Sequence, residues 1–197
     1  MINWKNEYNE HILEADSYNE YPYAGYTKLL QKMYEATSGL KKILFLGIGT
    51  KDLVKELYKN SCDITVIESS EKILSSCKKD IPNCKFIHHD IEKGFPILEN
   101  KFDAIISLYY MENLDFGEKI DVIKDMQNYL ELTGKIIIGD IAFENLKSME
   151  ACAEEFEDLW DEDSEEGAFI ISDFSKMFKM SFEKVSFCAG IIIIETL

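Results

Sequence analysis

The sequence predicts an α/β fold, a mostly parallel sheet with helices on both faces. Three observations carry this. Short β-rich runs alternate with segments of helical period along the chain. The middle runs are almost unbroken apolar stretches, the pattern of strands covered on both sides. A Gly-x-Gly turn closes the first run, and an amphipathic segment starts directly after it.

The elements follow in order. A helical segment of about forty residues, 1–40, precedes the sheet. Seven strands are then expected at 42–48, 63–68, 84–89, 102–109, 135–141, 183–189 and 190–196. Between them, Leu53, Val54, Leu57 and Tyr58 share one helical face, and Ile73, Leu74 and Cys77 share another. Asp115-x-x-Glu118 reads as a capping box opening a helix over Ile120, Ile123, Met126 and Leu130, with Gly134 as its stop. Met149, Cys152, Phe156 and Leu159 mark a further helix, and the last two strands meet tightly at Ala189-Gly190 as a hairpin. Strand–helix alternation implies right-handed crossovers in one domain spanning 1–197.

Charge and composition narrow the function. The 197 residues are 46% hydrophobic and 29% charged, with a net charge of −16. Such a chain repels phosphate backbones and anionic membranes and favours neutral or cationic ligands. All 21 basic residues are lysine, so the bidentate reader of guanine and phosphate is missing. The expected partner is a small-molecule substrate, with neither nucleic acid nor membrane. No signal peptide or spanning segment stands out, and the five cysteines read as apolar residues of a reducing cytoplasm. No His/Cys cluster has ligand spacing, so no metal is expected.

In open α/β sheets, ligands bind beyond the carboxyl ends of the strands, where Gly47 and Gly49 sit. Glu68 ends the second run, 21 residues after Gly47, an offset at which an acid can accept both hydroxyls of a ribose. Asp90 follows the third run, where a carboxylate can accept from an adenine amino group and Ile91 can donate a backbone N–H to the ring. Acids at strand ends also arise simply because loops are solvated. Taken together the three strand ends suggest an adenosine-bearing ligand. Asp52 stands where a dinucleotide loop wants its third glycine and would push back a pyrophosphate, so a ligand without phosphates fits better.

With LFLGIGTKDL, VIESSEKIL, FIHHDI, KFDAIISLYYMENL and YLELTGKIIIGDIAFEN, the chain resembles the class I S-adenosylmethionine-dependent methyltransferases, from about Tyr23 to the end. AFEN and PYAGYTKLL look like small bacterial members whose acceptors are unassigned. The resemblance implies a Rossmann-like sheet of order 3-2-1-4-5-7-6 with strand seven antiparallel, and S-adenosylmethionine as cofactor. It places Gly47, Ile48 and Gly49 along the methionine moiety, Glu68 on the ribose, Asp90 and Ile91 on the adenine, and Ser107 at the methionine end. Residues 1–40 become a lid over the cofactor, with Tyr26 the aromatic chosen for the pocket among Trp4, Tyr8, Tyr18, Tyr21, Tyr23 and Tyr26.

The chain departs from the family at Phe45, usually an acid, and at Lys51, usually glycine. Lys51 either faces the ligand carboxylate or points to solvent. Glu112 and Asn113 stand where relatives carry histidines. Glu112 is the candidate catalytic residue, able to take a proton from an amine or hydroxyl, and Asp140 is a second candidate. The function expected is methyl transfer to a small-molecule acceptor such as an amine. The alternatives are an inactive binding or regulatory domain of the same fold and, last, an NAD-dependent oxidoreductase. The acidic tract 154–166 is read as a solvated helix face or a steering surface for a cationic acceptor.

Overall fold

The computed structural model describes residues 2, 4, 10–49, 51–160, 165 and 167–196. Two helices, α1 (Glu10–Tyr18) and α2 (Tyr26–Ala36), lead into the sheet. Then come β1 (Lys42–Leu46), α3 (Lys51–Lys59), β2 (Asp63–Glu68), α4 (Glu71–Asp80) and β3 (Lys85–His88). The second half adds β4 (Phe102–Leu108), α5 (Phe116–Asn128), β5 (Leu130–Phe143), α6 (Leu146–Glu155), β6 (Phe169–Ile170), a single turn α7 (Ile171–Phe174), β7 (Met180–Lys184) and β8 (Ala189–Glu195).

The sheet runs β3-β2-β1-β4-β5-β8-β7, with β8 antiparallel to both its neighbours. With β6 set aside this is the expected order. The two-residue β6, which pairs with Ala142 and Phe143 of β5, is an eighth strand too short to show in the sequence.

Strand side chains alternate between two apolar layers, which is why the central runs are apolar throughout. Ile43, Phe45, Val66, Ala104 and Ile106 pack with α2 and α3; Leu44, Leu46, Ile105 and Ile138 pack with Ile120, Ile123 and Met126 of α5. The helix α2 is part of the first layer: Leu29, Leu30 and Met33 are fully buried. Gly139 of β5 makes room for it, since a Cβ there would lie 2.4 Å from the Met33 sulfur.

The capping box opens α5 as expected: Glu118 N–H donates to Asp115 Oδ1 at 2.8 Å and Asp115 N–H donates to Glu118 Oε2 at 2.9 Å. The end of α5 differs. It stops at Asn128, and β5 begins at Leu130, which pairs with Phe102. Gly134 therefore lies within β5, at the irregularity where the β4–β5 register shifts, and a Cβ there would meet the Phe102 carbonyl at 2.9 Å. The terminal hairpin turns earlier than Ala189-Gly190. Both residues belong to β8, and Val185–Cys188 make the turn, where the Ser186 hydroxyl accepts from the N–H of Ala189 at 3.0 Å. Phe156 and Leu159 lie just past α6 rather than on it, with Leu159 exposed.

Candidate functional site

The loops after β1, β2, β3, β4 and β5 meet along the carboxyl edge of the sheet. Gly47 and Gly49 carry φ of 64° and 51°, values that only glycine adopts without strain. The turn is tied to β2 by the Gly47 N–H, which donates to the Ile67 carbonyl at 2.8 Å. Glu68 is buried, and each of its carboxylate oxygens accepts a backbone N–H: Ile48 at 3.1 Å and Ser70, the N-cap of α4, at 2.9 Å. One acid thus joins the glycine turn to the start of the next helix.

Asp90 is partly exposed and pairs with Lys93 at 2.9 Å; Ile91 is buried and opens a single 3-10 turn. The third loop meets the second where the His89 N–H donates to the Glu68 carbonyl at 3.2 Å. The two imidazoles bind loop carbonyls, His88 that of Ser69 at 2.8 Å and His89 that of Gly94 at 2.7 Å.

Ser107, one residue before the end of β4, is in register with Leu46, which immediately precedes the glycine turn, and its fully buried hydroxyl has no hydrogen-bond partner. Two residues further, Tyr109 takes φ of 44°, a left-handed conformation that costs a non-glycine residue about 1–3 kcal/mol. Its ring packs on Tyr23 and Tyr26 with centroids 5.2 and 5.8 Å away. The next ring, Tyr110, lies against Gly47: a Cβ on that glycine would stand 2.2 Å from it. Close packing by Tyr110 is thus a second reason for glycine at position 47.

Tyr110 begins the 3-10 turn Met111–Asn113, which carries Glu112. Asp140, fully buried in β5, holds this turn by accepting from the Met111 N–H at 3.3 Å and from the Ile141 N–H at 2.9 Å. From the other side Gly167 presses on the Glu112 carbonyl, which a Cβ would meet at 2.3 Å. Burial raises the carboxyls of both Glu112 and Asp140; at Asp140 the charge of Glu112 adds to it, and its value rises to about 8. Burial, then Glu112 and Asp140, push the Tyr23 phenol up as well. Lys119, buried on α5, donates to the Leu114 carbonyl and partly offsets the penalty at Asp140.

The sequence-chosen residues therefore fall into two groups. Gly47, Ile48, Gly49, Glu68, Asp90, Ile91 and Ser107 gather around the first three loops and the end of β4. Tyr26 and Glu112 belong to a second group with Tyr23, Tyr109 and Asp140. The departures take neither predicted form. Phe45 is buried between the sheet and the α2–α3 layer. Lys51 is buried too, donating to Ser76 Oγ at 2.7 Å and facing Asp80 at 3.4 Å, so it points neither to a ligand nor to solvent. Sequence reasoning missed Gly167, Lys119 and the seat of Tyr110. Only Lys119 left a signal, lying on the same helical face as Ile123 and Met126. Tyr8 and residues 161–164 and 166 of the acidic tract lie outside the described residues. Among the described residues, no group of three or more His, Cys, Asp or Glu could hold a metal, and no helix is long and apolar enough to cross a membrane.

Comparison with known proteins places this arrangement. Residues 43–134 match the family model of the methyltransferase domain. An uncharacterized methyltransferase of Oceanobacillus iheyensis is 28% identical over 141 residues, covering 72% of this chain and 65% of that protein, so the chain spans about two thirds of that relative's length. Among solved structures, the PH0226 protein from Pyrococcus horikoshii superposes with a TM-score of 0.70 at 15% identity, covering 96% of this chain and all of that one. The plantazolicin methyltransferase BpumL in complex with SAH gives 0.62 at 18% identity, covering 94% of this chain and 89% of its own. At such identities the structural likeness carries the fold alone. Domain match and relatives point the same way: the chain is similar to methyltransferases over its central region, and its fold is shared with the class I S-adenosylmethionine-dependent methyltransferases. S-adenosylmethionine is the cofactor of that class.

Proposed function

We propose that the chain methylates a small-molecule acceptor, an amine, holding S-adenosylmethionine with Gly47, Ile48, Gly49, Glu68, Asp90, Ile91 and Ser107. The observation that carries this reading is Glu68. Its two backbone bonds fix the carboxylate at the mouth of the glycine turn; Oε1 also takes the Ser69 hydroxyl at a long 3.5 Å, a bond a ribose hydroxyl can replace, and Oε2 retains a further lone pair. The unpartnered hydroxyl of Ser107, beside that turn, supports a polar neighbour there. Asp90 and Ile91 supply the acceptor and donor for the adenine edge.

When bound, the cofactor supplies an electrophilic methyl group. The chain itself orients the acceptor and receives its proton. Glu112 is the base in this reading, since burial raises its proton affinity toward that of an amine. The net charge of −16 supports a cationic acceptor over a nucleic acid. The turn between α1 and α2, with Tyr21, Tyr23 and Gly25, is the part of the N-terminal segment that acts as the lid, because α2 itself is a core helix.

Calorimetry tests the cofactor assignment. S-adenosylmethionine and its demethylated product should bind and NAD should not; Glu68→Ala should weaken binding by about 1–3 kcal/mol through lost charged hydrogen bonds. An unchanged dissociation constant removes Glu68 from the site, and NAD binding alone overturns the assignment. A second reading, cofactor binding without turnover, draws on the Tyr110 ring seated against Gly47. Tight binding with no methyl transfer to any acceptor would favour it.

A further inference from the structure

The residue in the acceptor region that the reading above leaves without a role is Tyr109, and two separate anomalies meet on it. Its backbone is left-handed although it is not glycine, and its phenol oxygen is buried with no hydrogen-bond partner. Packing explains neither. A phenylalanine would fill the same space against Tyr23 and Tyr26 without burying an unsatisfied hydroxyl. Buried polar groups without partners, and strained residues, gather where a ligand completes them.

The surroundings name the chemistry. The ring follows Ser107 by two residues on the loop from β4 to Glu112. The groups acting electrostatically on its hydroxyl are Cys188, Asp140, Tyr26 and Tyr23. Among the described residues these include no cation. Aromatic faces without a competing positive charge suit a cationic amine, attracted by the rings and able to donate N–H bonds.

We propose that Tyr109 is an acceptor-binding residue, whose hydroxyl accepts a hydrogen bond from the ammonium or amine of the methyl acceptor once the Tyr21–Gly25 turn admits it. This rests on the methyltransferase reading with an amine acceptor. The left-handed backbone then has a purpose, because it turns the ring from the end of β4 into the space beneath Tyr23.

The test is Tyr109→Phe, which keeps the ring and removes only the oxygen. Methyl transfer from labelled S-adenosylmethionine is measured on ethanolamine, histamine and 2-phenylethylamine, with cofactor affinity by calorimetry and thermal stability alongside. The expected result is a rise of about 10- to 100-fold in acceptor KM, the loss of one hydrogen bond to a charged group, with cofactor Kd unchanged and stability equal or higher. An unchanged KM overturns the assignment while leaving the methyltransferase reading intact, and it would mean that the hydroxyl serves only water or packing. Cofactor binding with no turnover of any of the three amines also overturns it, because the amine is then not the acceptor class. Failure of the wild type to bind the cofactor removes the reading on which it rests.

Discussion

Asp140→Asn should make the protein more stable at alkaline pH, against the usual expectation for replacing a buried acid that holds two hydrogen bonds. The carboxyl is fully buried and its value is raised from 3.8 to about 8. The folded chain therefore holds this proton more tightly than the unfolded chain does. Stability from the group is fully present below its ordinary value and is lost as pH rises through the folded value, at roughly 1.4 kcal/mol per pH unit. Over the interval from 3.8 to about 8, this amounts to about 6 kcal/mol at most. Asparagine cannot ionise, and it keeps one acceptor for the Met111 or Ile141 N–H while leaving the other buried donor unmet, a cost of about 1–3 kcal/mol. The variant should therefore exceed the wild type by about 2–4 kcal/mol at pH 8 and match or trail it near pH 4. Urea unfolding at steps between these pH values measures it, and the difference between the two proteins isolates Asp140 from the other carboxylates. A difference that does not change with pH would mean that Asp140 is ionised in the fold, and the physical account of this site would be wrong.

Three further outcomes follow from the packing. Gly47→Ala should cost about 1–3 kcal/mol, because φ of 64° is strained for alanine and its Cβ would stand 2.2 Å from the Tyr110 ring; a variant of wild-type melting temperature would contradict this. Asp115→Ala should lose about 0.5–2 kcal/mol by denaturant titration, since it removes the α5 capping box, and an unchanged midpoint would refute that role. Lys51→Ala should destabilise the chain by about 1–3 kcal/mol through the lost Ser76 and Asp80 partners, while leaving cofactor affinity within about twofold; a large loss of affinity would return Lys51 to the ligand.

Much of this fold is written in local patterns. The buried runs of β1, β2 and β4, the Asp115–Glu118 box and the placement of Glu68 beside the glycine turn each follow from spacing and residue type. What stayed hidden depends on partners distant in the chain. Gly134 looks like a helix stop because glycine commonly ends helices, yet β4 recruits it into β5. The turn at Val185–Cys188 is held by Ser186, a polar residue inside an otherwise strand-like run, and β7 is a half-exposed edge whose pattern is weak. The site divides in the same way. Lys51 shows only a missing glycine in the sequence, and its partners Ser76 and Asp80 lie one helix away. Nothing near Tyr110 signals its seat on Gly47, because β1 and β4 are neighbours only in the folded sheet.

Amide chemical-shift mapping with the demethylated cofactor locates its binding site residue by residue. The largest shifts should fall on Ile48, Ser69, Ser70 and Ile91, around the Glu68 carboxylate. Shifts concentrated instead at the opposite edge of the sheet, in the cavity of about 420 Å³ lined by Thr37, Lys41 and Cys62, or no shifts at all, would contradict this placement of the cofactor.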